Sequence, residues 1–217
     1  MFYGSMITVK TFIFDFNGTV LDDIDHSLEC INTLLTKYHI REPLSLDEYR
    51  HIFTFPVIDY YRKAGFDFDV YSFEEIGREW IDLYYSHKER TRLMDGYREI
   101  LRTLSFKDCR TVLISASQED NLLQQCRELN IVDYFDAIRG IDNIYAGSKE
   151  AITKEYISGT DPENCLFIGD TLHDLQVARA VGCRCCLIAK GHQAEDVLRK
   201  EHDYVVRDIR EVKELCV

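Results

Sequence analysis

Two acidic clusters, far apart in the chain, carry the chemistry that can be read from this sequence. In the first, the apolar run Val9-Lys10-Thr11-Phe12-Ile13-Phe14 ends at Asp15, and Phe16-Asn17-Gly18-Thr19 follows at once. A β-branched and aromatic run of this kind reads as a buried parallel strand, and in open α/β sheets ligands gather beyond the carboxyl ends of such strands. Asp15 therefore stands where a nucleophile or a metal ligand is useful. Gly18 permits a tight turn and close approach of the backbone to a ligand, and Thr19 adds a hydroxyl. Taken alone, the cluster fits an Asx turn closing a strand equally well. In the second cluster, Cys165-Leu166-Phe167-Ile168-Gly169 is another apolar run, ending in Asp170, with Asp174 four residues on. That spacing is one helical turn, so the two carboxylates can point at one place. A pair of strand-end acidic clusters suits a hard divalent cation, which prefers carboxylate and carbonyl oxygens.

Together these residues resemble the haloacid dehalogenase superfamily, whose first motif is Asp-x-Asp-Gly-Thr and whose last is Gly-Asp-x-x-x-Asp after a strand. Two further segments match in the family's order. The apolar run Thr111-Val112-Leu113-Ile114 ends in Ser115-Ala116-Ser117, similar to the family's phosphate-holding Ser or Thr. Lys149 opens a predicted helix before Gly169, where the family has a phosphate-neutralising lysine; Lys154 is the nearby alternative, and Gly147-Ser148-Lys149-Glu150 lacks the proline that often follows. The resemblance implies that Asp15 attacks the phosphorus of a bound monoester and that water hydrolyses the resulting aspartyl phosphate. It implies Mg²⁺ held by Asp15, the Asn17 carbonyl and Asp170, with Asp174 orienting a metal-bound water. Gly18, Thr19, Ser115, Ala116 and Lys149 would surround the phosphate. The implied substrate is a small phosphorylated metabolite, and the most similar group is that of the phosphoglycolate phosphatases.

The chain departs from the family pattern at Asn17, where a second aspartate usually serves as general acid and base. An amide cannot titrate, and one such group contributes roughly 10²–10⁴-fold in rate. Three explanations compete: another acid such as His173 or a residue of the helical insert, an inactivating substitution, or a branch with different chemistry. The dehalogenase and phosphonate-cleaving branches also lack aspartate here. A catalytically impaired protein that binds a phosphorylated ligand without turning it over is the contrasting class.

The elements that must position these residues follow from periodicity. After residue 94 strands and helices alternate, which predicts an α/β fold with a doubly wound, Rossmann-like parallel sheet. Ser117-Gln118-Glu119-Asp120 is expected to cap a helix, and Asp203-Tyr204-Val205-Val206 to form a last short strand before a closing helix. Between residues 21 and 92 the period is helical throughout, with one stripe at Leu28, Ile31, Leu34 and Leu35 and another at Ile76, Trp80, Leu83 and Tyr84. Ser45-x-x-Glu48 and Ser72-x-x-Glu75 fit capping boxes. The expected organisation is a core of residues 1–20 and 93–217 with an all-helical cap domain, 21–92, inserted after the first motif. In the cap, the aromatic segment from Phe53 to Arg62 could line a substrate pocket but reads mainly as bundle packing, and Arg50, His51, Arg62 and Lys63 are the basic residues near enough in sequence to meet an anionic substrate, although a solvated face is the first reading of each.

Composition narrows the rest. The 217 residues carry a net charge of −12, which argues against nucleic-acid and anionic-membrane partners. No apolar stretch approaches the ~20 residues needed to span a bilayer, and the start of the sequence lacks a signal-peptide pattern, so the expected location is cytoplasmic. The eight cysteines read as free thiols. Cys183-Arg184-Cys185-Cys186 has no second pair to complete a zinc site, and strand alternation would send Cys183 and Cys186 to opposite faces.

Overall fold

The computed structural model describes residues 9–107, 109–141 and 149–215; Gly147 and Ser148, on the approach to Lys149, lie outside them. Six parallel strands form one sheet in the order β5-β4-β1-β6-β7-β8. They are β1 (Thr11–Phe14), β4 (Arg110–Gln118), β5 (Ala137–Ile141), β6 (Cys165–Gly169), β7 (Arg184–Ile188) and β8 (Val205–Val206). From β1 the chain winds outward through β4 to β5, then returns to the other side of β1 and winds through β6 to β8. The connections therefore diverge between β1 and β6, and at such a switch point the loops part and leave a crevice beyond the strand ends. Phe14 is level with Ile168 across that pair, so Asp15 and Asp170 emerge side by side at its mouth.

Period-2 alternation sends β1 to both faces of the sheet. Phe12 and Phe14 pack on one side with Tyr97, Ile100 and Leu104 of α5 (Tyr97–Phe106). Ile13 packs on the other with Phe167 and with Leu175 and Ala178 of α8 (Leu172–Val181). Helices α6 (Glu119–Glu128), α7 (Lys149–Tyr156) and α9 (Glu195–Glu201) complete the two outer layers.

Four helices lie between β1 and α5: α1 (Ile24–Lys37), α2 (Leu46–Ile52), α3 (Val57–Ala64) and α4 (Phe73–Ser86). The segment is not helical at its ends. Leu21–Asp22 (β2) pairs antiparallel with Arg92–Leu93 (β3), forming a two-stranded neck where the chain leaves and re-enters the sheet domain. Ile31, Leu34, Leu35, Ile76 and Tyr84 are buried, as the two stripes predict. Ser45 and Glu48 form a complete capping box, whereas Ser72 accepts only the Glu75 N–H and turns its own hydroxyl to Glu74.

Two expected elements differ. Ser117 caps nothing: β4 continues through Gln118, and α6 starts at Glu119 without a side-chain cap. The closing helix is a 3-10 segment, Ile209–Leu215. Cys183 and Cys186 do pack on opposite faces of the sheet, and the described cysteines form no disulfide with one another. Among the described residues no helix is long and apolar enough to cross a membrane.

Candidate active site

The Asp15 N–H donates to the Ile168 carbonyl at 2.8 Å, extending the β1–β6 ladder one residue past the strand and fixing where the carboxylate leaves the sheet. Asp170 follows β6 directly. Its Oδ1 accepts from the Thr19 hydroxyl at 2.9 Å and its Oδ2 from the His192 N–H at 2.6 Å. Gly18 sits at φ +71°, and a Cβ there would lie 2.3 Å from Asp170 Oδ2 and 2.4 Å from His192 Cδ2. Both backbone conformation and space therefore demand glycine at this position. Asp174 reaches back into a capping box at the start of α8, its Oδ2 accepting from the backbone of Asp170 and Thr171 and from the Thr171 hydroxyl.

Lys149, the first residue of α7, is buried, and its ammonium lies 2.5 Å from both Asp15 Oδ1 and Asp174 Oδ1. Lys154 is exposed on the outer face of the same helix. Carboxylate oxygens of Asp15, Asp170 and Asp174 all come within 4.8 Å of one another. One ammonium faces three buried acids, so negative charge is in surplus. Burial raises Asp15 to about 7, with Lys149 opposing and the other two acids adding repulsion. Burial likewise raises Asp170 to about 6, opposed by His192. At Asp174 the burial penalty is outweighed by Lys149 and Thr171, and the acid stays ionised below its ordinary range. An oxygen-only donor set with excess charge fits Mg²⁺.

Ser115, in β4 where its register against β5 shifts after Ile114, is buried and bonded to Ser117 through both the Ser117 N–H and hydroxyl at 3.1 Å. The Ser117 hydroxyl then donates to Asn17 Oδ1 at 3.1 Å, which explains why it leaves α6 uncapped. The Asn17 amide is held on its other side as well. Its Nδ2 donates to Asp23 Oδ2 at 2.8 Å and to the Tyr84 hydroxyl at 3.0 Å.

Asp23 is a residue that sequence reasoning missed. It stands at the N-cap position of α1, yet its carboxylate makes no cap bond. It turns instead to the Gly18 N–H at 2.9 Å, to Tyr84 at 2.8 Å and to His192 Nε2 at 3.3 Å. On the other side of the imidazole, Nδ1 lies 2.7 Å from the Tyr49 hydroxyl, and Phe53 stacks on the ring at 4.8 Å. Burial opposes protonation of His192, and the Asp23 carboxylate overcomes it, raising the imidazole to about 9. The one sequence signal for His192 is its place just beyond β7, a fourth strand contributing to the same edge of the sheet.

A cavity of about 810 Å³ opens over these groups, with Asp15, Ser115, Lys149 and Asp170 in its lining and Phe53, Phe55, Trp80, Tyr84 and Tyr85 from the helical segment above. Asn17, Ala116, Asp174 and His173 also line it. His173, half-buried and held neutral by that burial, stacks on Phe55 with ring centroids 4.7 Å apart. The basic residues near enough in sequence to meet a substrate lie outside the cavity lining. Arg50 donates to the Gly191 and Lys190 carbonyls, His51 meets Asp196, Arg62 pairs with Asp59, and Lys63 is exposed outside the cavity. Arg50 and the Gln193 amide, which donates to the Phe53 carbonyl at 2.8 Å, instead tie α2 and the turn after it to the loop beyond β7.

A parallel sheet with acidic groups at its switch point and a helical layer over them is the arrangement that the resemblance to the haloacid dehalogenase superfamily implies. The profile of the haloacid dehalogenase-like hydrolases matches residues 12–188, and the chain belongs to that family. It is 23% identical over 214 residues to a phosphoglycolate phosphatase of Pseudomonas putida, covering 94% of this chain and 78% of that protein. It is 27% identical over 199 residues to a 5′-nucleotidase of Pseudomonas aeruginosa, covering 86% of each. Among solved structures, a haloacid dehalogenase-like family hydrolase of Streptococcus pneumoniae superposes with a TM-score of 0.74 at 20% identity, over 95% of this chain and 97% of that one. At that identity the likeness shows the fold alone.

Proposed function

We propose that this hydrolase is a Mg²⁺-dependent phosphatase of small phosphorylated metabolites that works through an aspartyl phosphate on Asp15. The observation that carries the reading is the buried contact of Lys149 with Asp15 at the floor of the cavity, 2.5 Å apart, with Ser115 in the same lining. A carboxylate beside an ammonium and a hydroxyl matches the demand of phosphoryl transfer, a nucleophile next to groups that hold the phosphoryl oxygens. The names of the relatives, phosphoglycolate phosphatase, 5′-nucleotidase and pyrophosphatase, are consistent with a small phosphorylated substrate.

In this scheme a bond forms from Asp15 to phosphorus as the bond to the leaving oxygen breaks, and water then attacks the acyl phosphate, releasing phosphate and restoring Asp15. Lys149, the Ser115 hydroxyl and the Ala116 N–H hold the non-bridging oxygens, while Gly18 and Thr19 keep the loop close. Asp15, the Asn17 carbonyl and Asp170 would hold Mg²⁺, with Asp174, which also meets Lys149 and caps α8, beside them at the metal site. The ion would supply charge neutralisation for the phosphate. Asn17 cannot release a proton, so the leaving oxygen departs with help from solvent or from another group of the cavity. Residues 21–92 act as a cap over a core of 1–20 and 93–217, and the acidic chain works in the cytoplasm without nucleic-acid or membrane partners.

A second reading, a phospho-ligand binder with impaired turnover, draws its support from the untitratable Asn17. Phosphate release from a panel of metabolite monoesters, with Mg²⁺ and with chelator, separates the two. Release that needs Mg²⁺ and vanishes in Asp15→Asn supports the phosphatase; saturable binding without release supports the binder.

A further inference from the structure

We propose that the leaving group of the substrate carries a planar aromatic ring, as in a nucleoside or arylalkyl monophosphate, and that a two-carbon acid phosphate is a poor fit. The inference rests on the reading of Asp15 as phosphoryl acceptor and concerns what lies above it. The cavity, at about 810 Å³, belongs with those that enclose ligands of many heavy atoms, and a phosphate with two carbons would leave most of it empty. Its upper wall is aromatic and comes from separate elements: Phe53 and Phe55 from the turn after α2, Tyr60 from α3, and Trp80, Tyr84 and Tyr85 from α4.

Several of these rings already lie face to face, Trp80 on Tyr84 at 5.0 Å and 20°, and Phe55 on His173 at 4.7 Å and 28°. Flat surfaces of this kind accept another flat ring with little reorganisation. Phe55, Val57 and Ile81, which line the cavity, are 36%, 37% and 50% exposed. Such large apolar side chains left open to water around one concave site mark a surface that a ligand covers.

Charge is sparse in the same wall. The charged residues that the capping helices α2–α4 contribute to the lining are Glu74, whose carboxylate takes the Ser72 hydroxyl, and Arg78, both exposed. Arg50, His51 and Arg62 are engaged elsewhere, so Arg78 is the cap cation of the lining that a substrate carboxylate could meet, against a wall that is otherwise mainly aromatic.

The test compares esters that share a primary-alcohol leaving group, so that chemistry at phosphorus is matched: adenosine 5′-monophosphate against ribose 5-phosphate, 2-phenylethyl phosphate against ethyl phosphate, and phosphoglycolate. The expected result is a kcat/KM about ten- to a hundredfold higher for the ring-bearing member of at least one pair, the size of one base–aromatic stack. In Trp80→Ala and Phe55→Ala that ratio should fall toward one. In parallel, calorimetric binding of the same esters to Asp15→Asn in Mg²⁺ reads the preference without turnover. A ring preference in binding with no hydrolysis by the unmodified protein upholds this inference and overturns the phosphatase reading. Phosphoglycolate or ribose 5-phosphate handled as well as the ring-bearing esters overturns this inference and leaves the phosphatase reading standing. Absence of a ring preference in both measurements also overturns it.

Discussion

Asn17 and Asp23 are matched as donor and acceptor, the amide nitrogen of one lying 2.8 Å from the carboxylate oxygen of the other, with Tyr84 and Ser117 closing the ring of contacts. The same Asp23 accepts the Gly18 N–H, so the loop that follows Asp15 is pinned by a carboxylate from α1. An aspartate at position 17 restores a titratable group in the sequence pattern, but in this structure it would set a half-buried carboxylate against the buried one of Asp23.

Asn17→Asp is therefore expected to lower stability by about 1–3 kcal/mol at neutral pH, through a lost hydrogen bond and like-charge repulsion. The new acid has its pKa raised by Asp23, so the deficit should shrink as pH falls and a proton bridges the pair. Exchanging the groups, Asn17→Asp with Asp23→Asn, recreates a donor–acceptor pair and should recover much of the loss. Thermal melts of the three proteins at pH 5 and pH 8 check both statements; a single variant as stable as the parent at pH 8 would show that the pair is not matched.

Lys149 is the counter-ion of a site in which acids are in excess. Lys149→Met leaves Asp15 and Asp174 without their ammonium, and breaking a buried ion pair from one side costs about 3–5 kcal/mol. Divalent metal should restore part of that loss, because it supplies charge to the same oxygens. Denaturant unfolding with and without Mg²⁺ measures the two effects, and a variant that keeps full stability in chelator would contradict the assigned charge balance.

The pH dependence of the metal-free protein follows from the same groups. Asp15 and Asp170 rise from an ordinary value near 3.8 to about 7 and about 6, so the folded state holds their protons more tightly than the unfolded chain. Their contribution is most favourable at low pH and is lost as pH climbs through those values. His192, raised from 6.5 to about 9, adds stability that is complete below 6.5 and lost as pH passes 9. His173 acts in the opposite sense near neutrality, since burial lowers it. The cleaner observable is the gain on adding Mg²⁺, which should be small at pH 5 and grow toward pH 8 as Asp15 and Asp170 ionise. Melting curves across that range decide it: a gain independent of pH would mean that the metal does not meet these acids.

Much of the fold was legible because β1, β6 and the first half of β4 are short apolar runs closed by a polar residue, at Phe14-Asp15, Gly169-Asp170 and Ile114-Ser115. The same punctuation identified the residues that the structure gathers at the switch point. The network around Asn17 was not legible. Asp23, Tyr84 and His192 come from three distant segments and meet through packing of the helical layer on the sheet, which leaves no spacing to find. Ser117 was misread because Ser-x-x-Asp is a helix-start pattern, and the competing partner, Asn17, is a hundred residues away. The partners of Arg50 and Arg62 were not legible either, because sequence does not reveal that the carbonyls of Lys190 and Gly191 would take Arg50, nor that Asp59 would take Arg62.

The central claim is that Asp15 accepts the phosphoryl group. It is tested most directly by mixing the protein with Mg²⁺ and a phosphate monoester that it hydrolyses, quenching in acid within one turnover, and mapping any adduct by peptide mass spectrometry. The account predicts a base-labile phosphoryl group on the peptide that contains Asp15, absent in Asp15→Asn and absent without divalent metal. Turnover without an adduct on that peptide, or an adduct on any other residue, would contradict it.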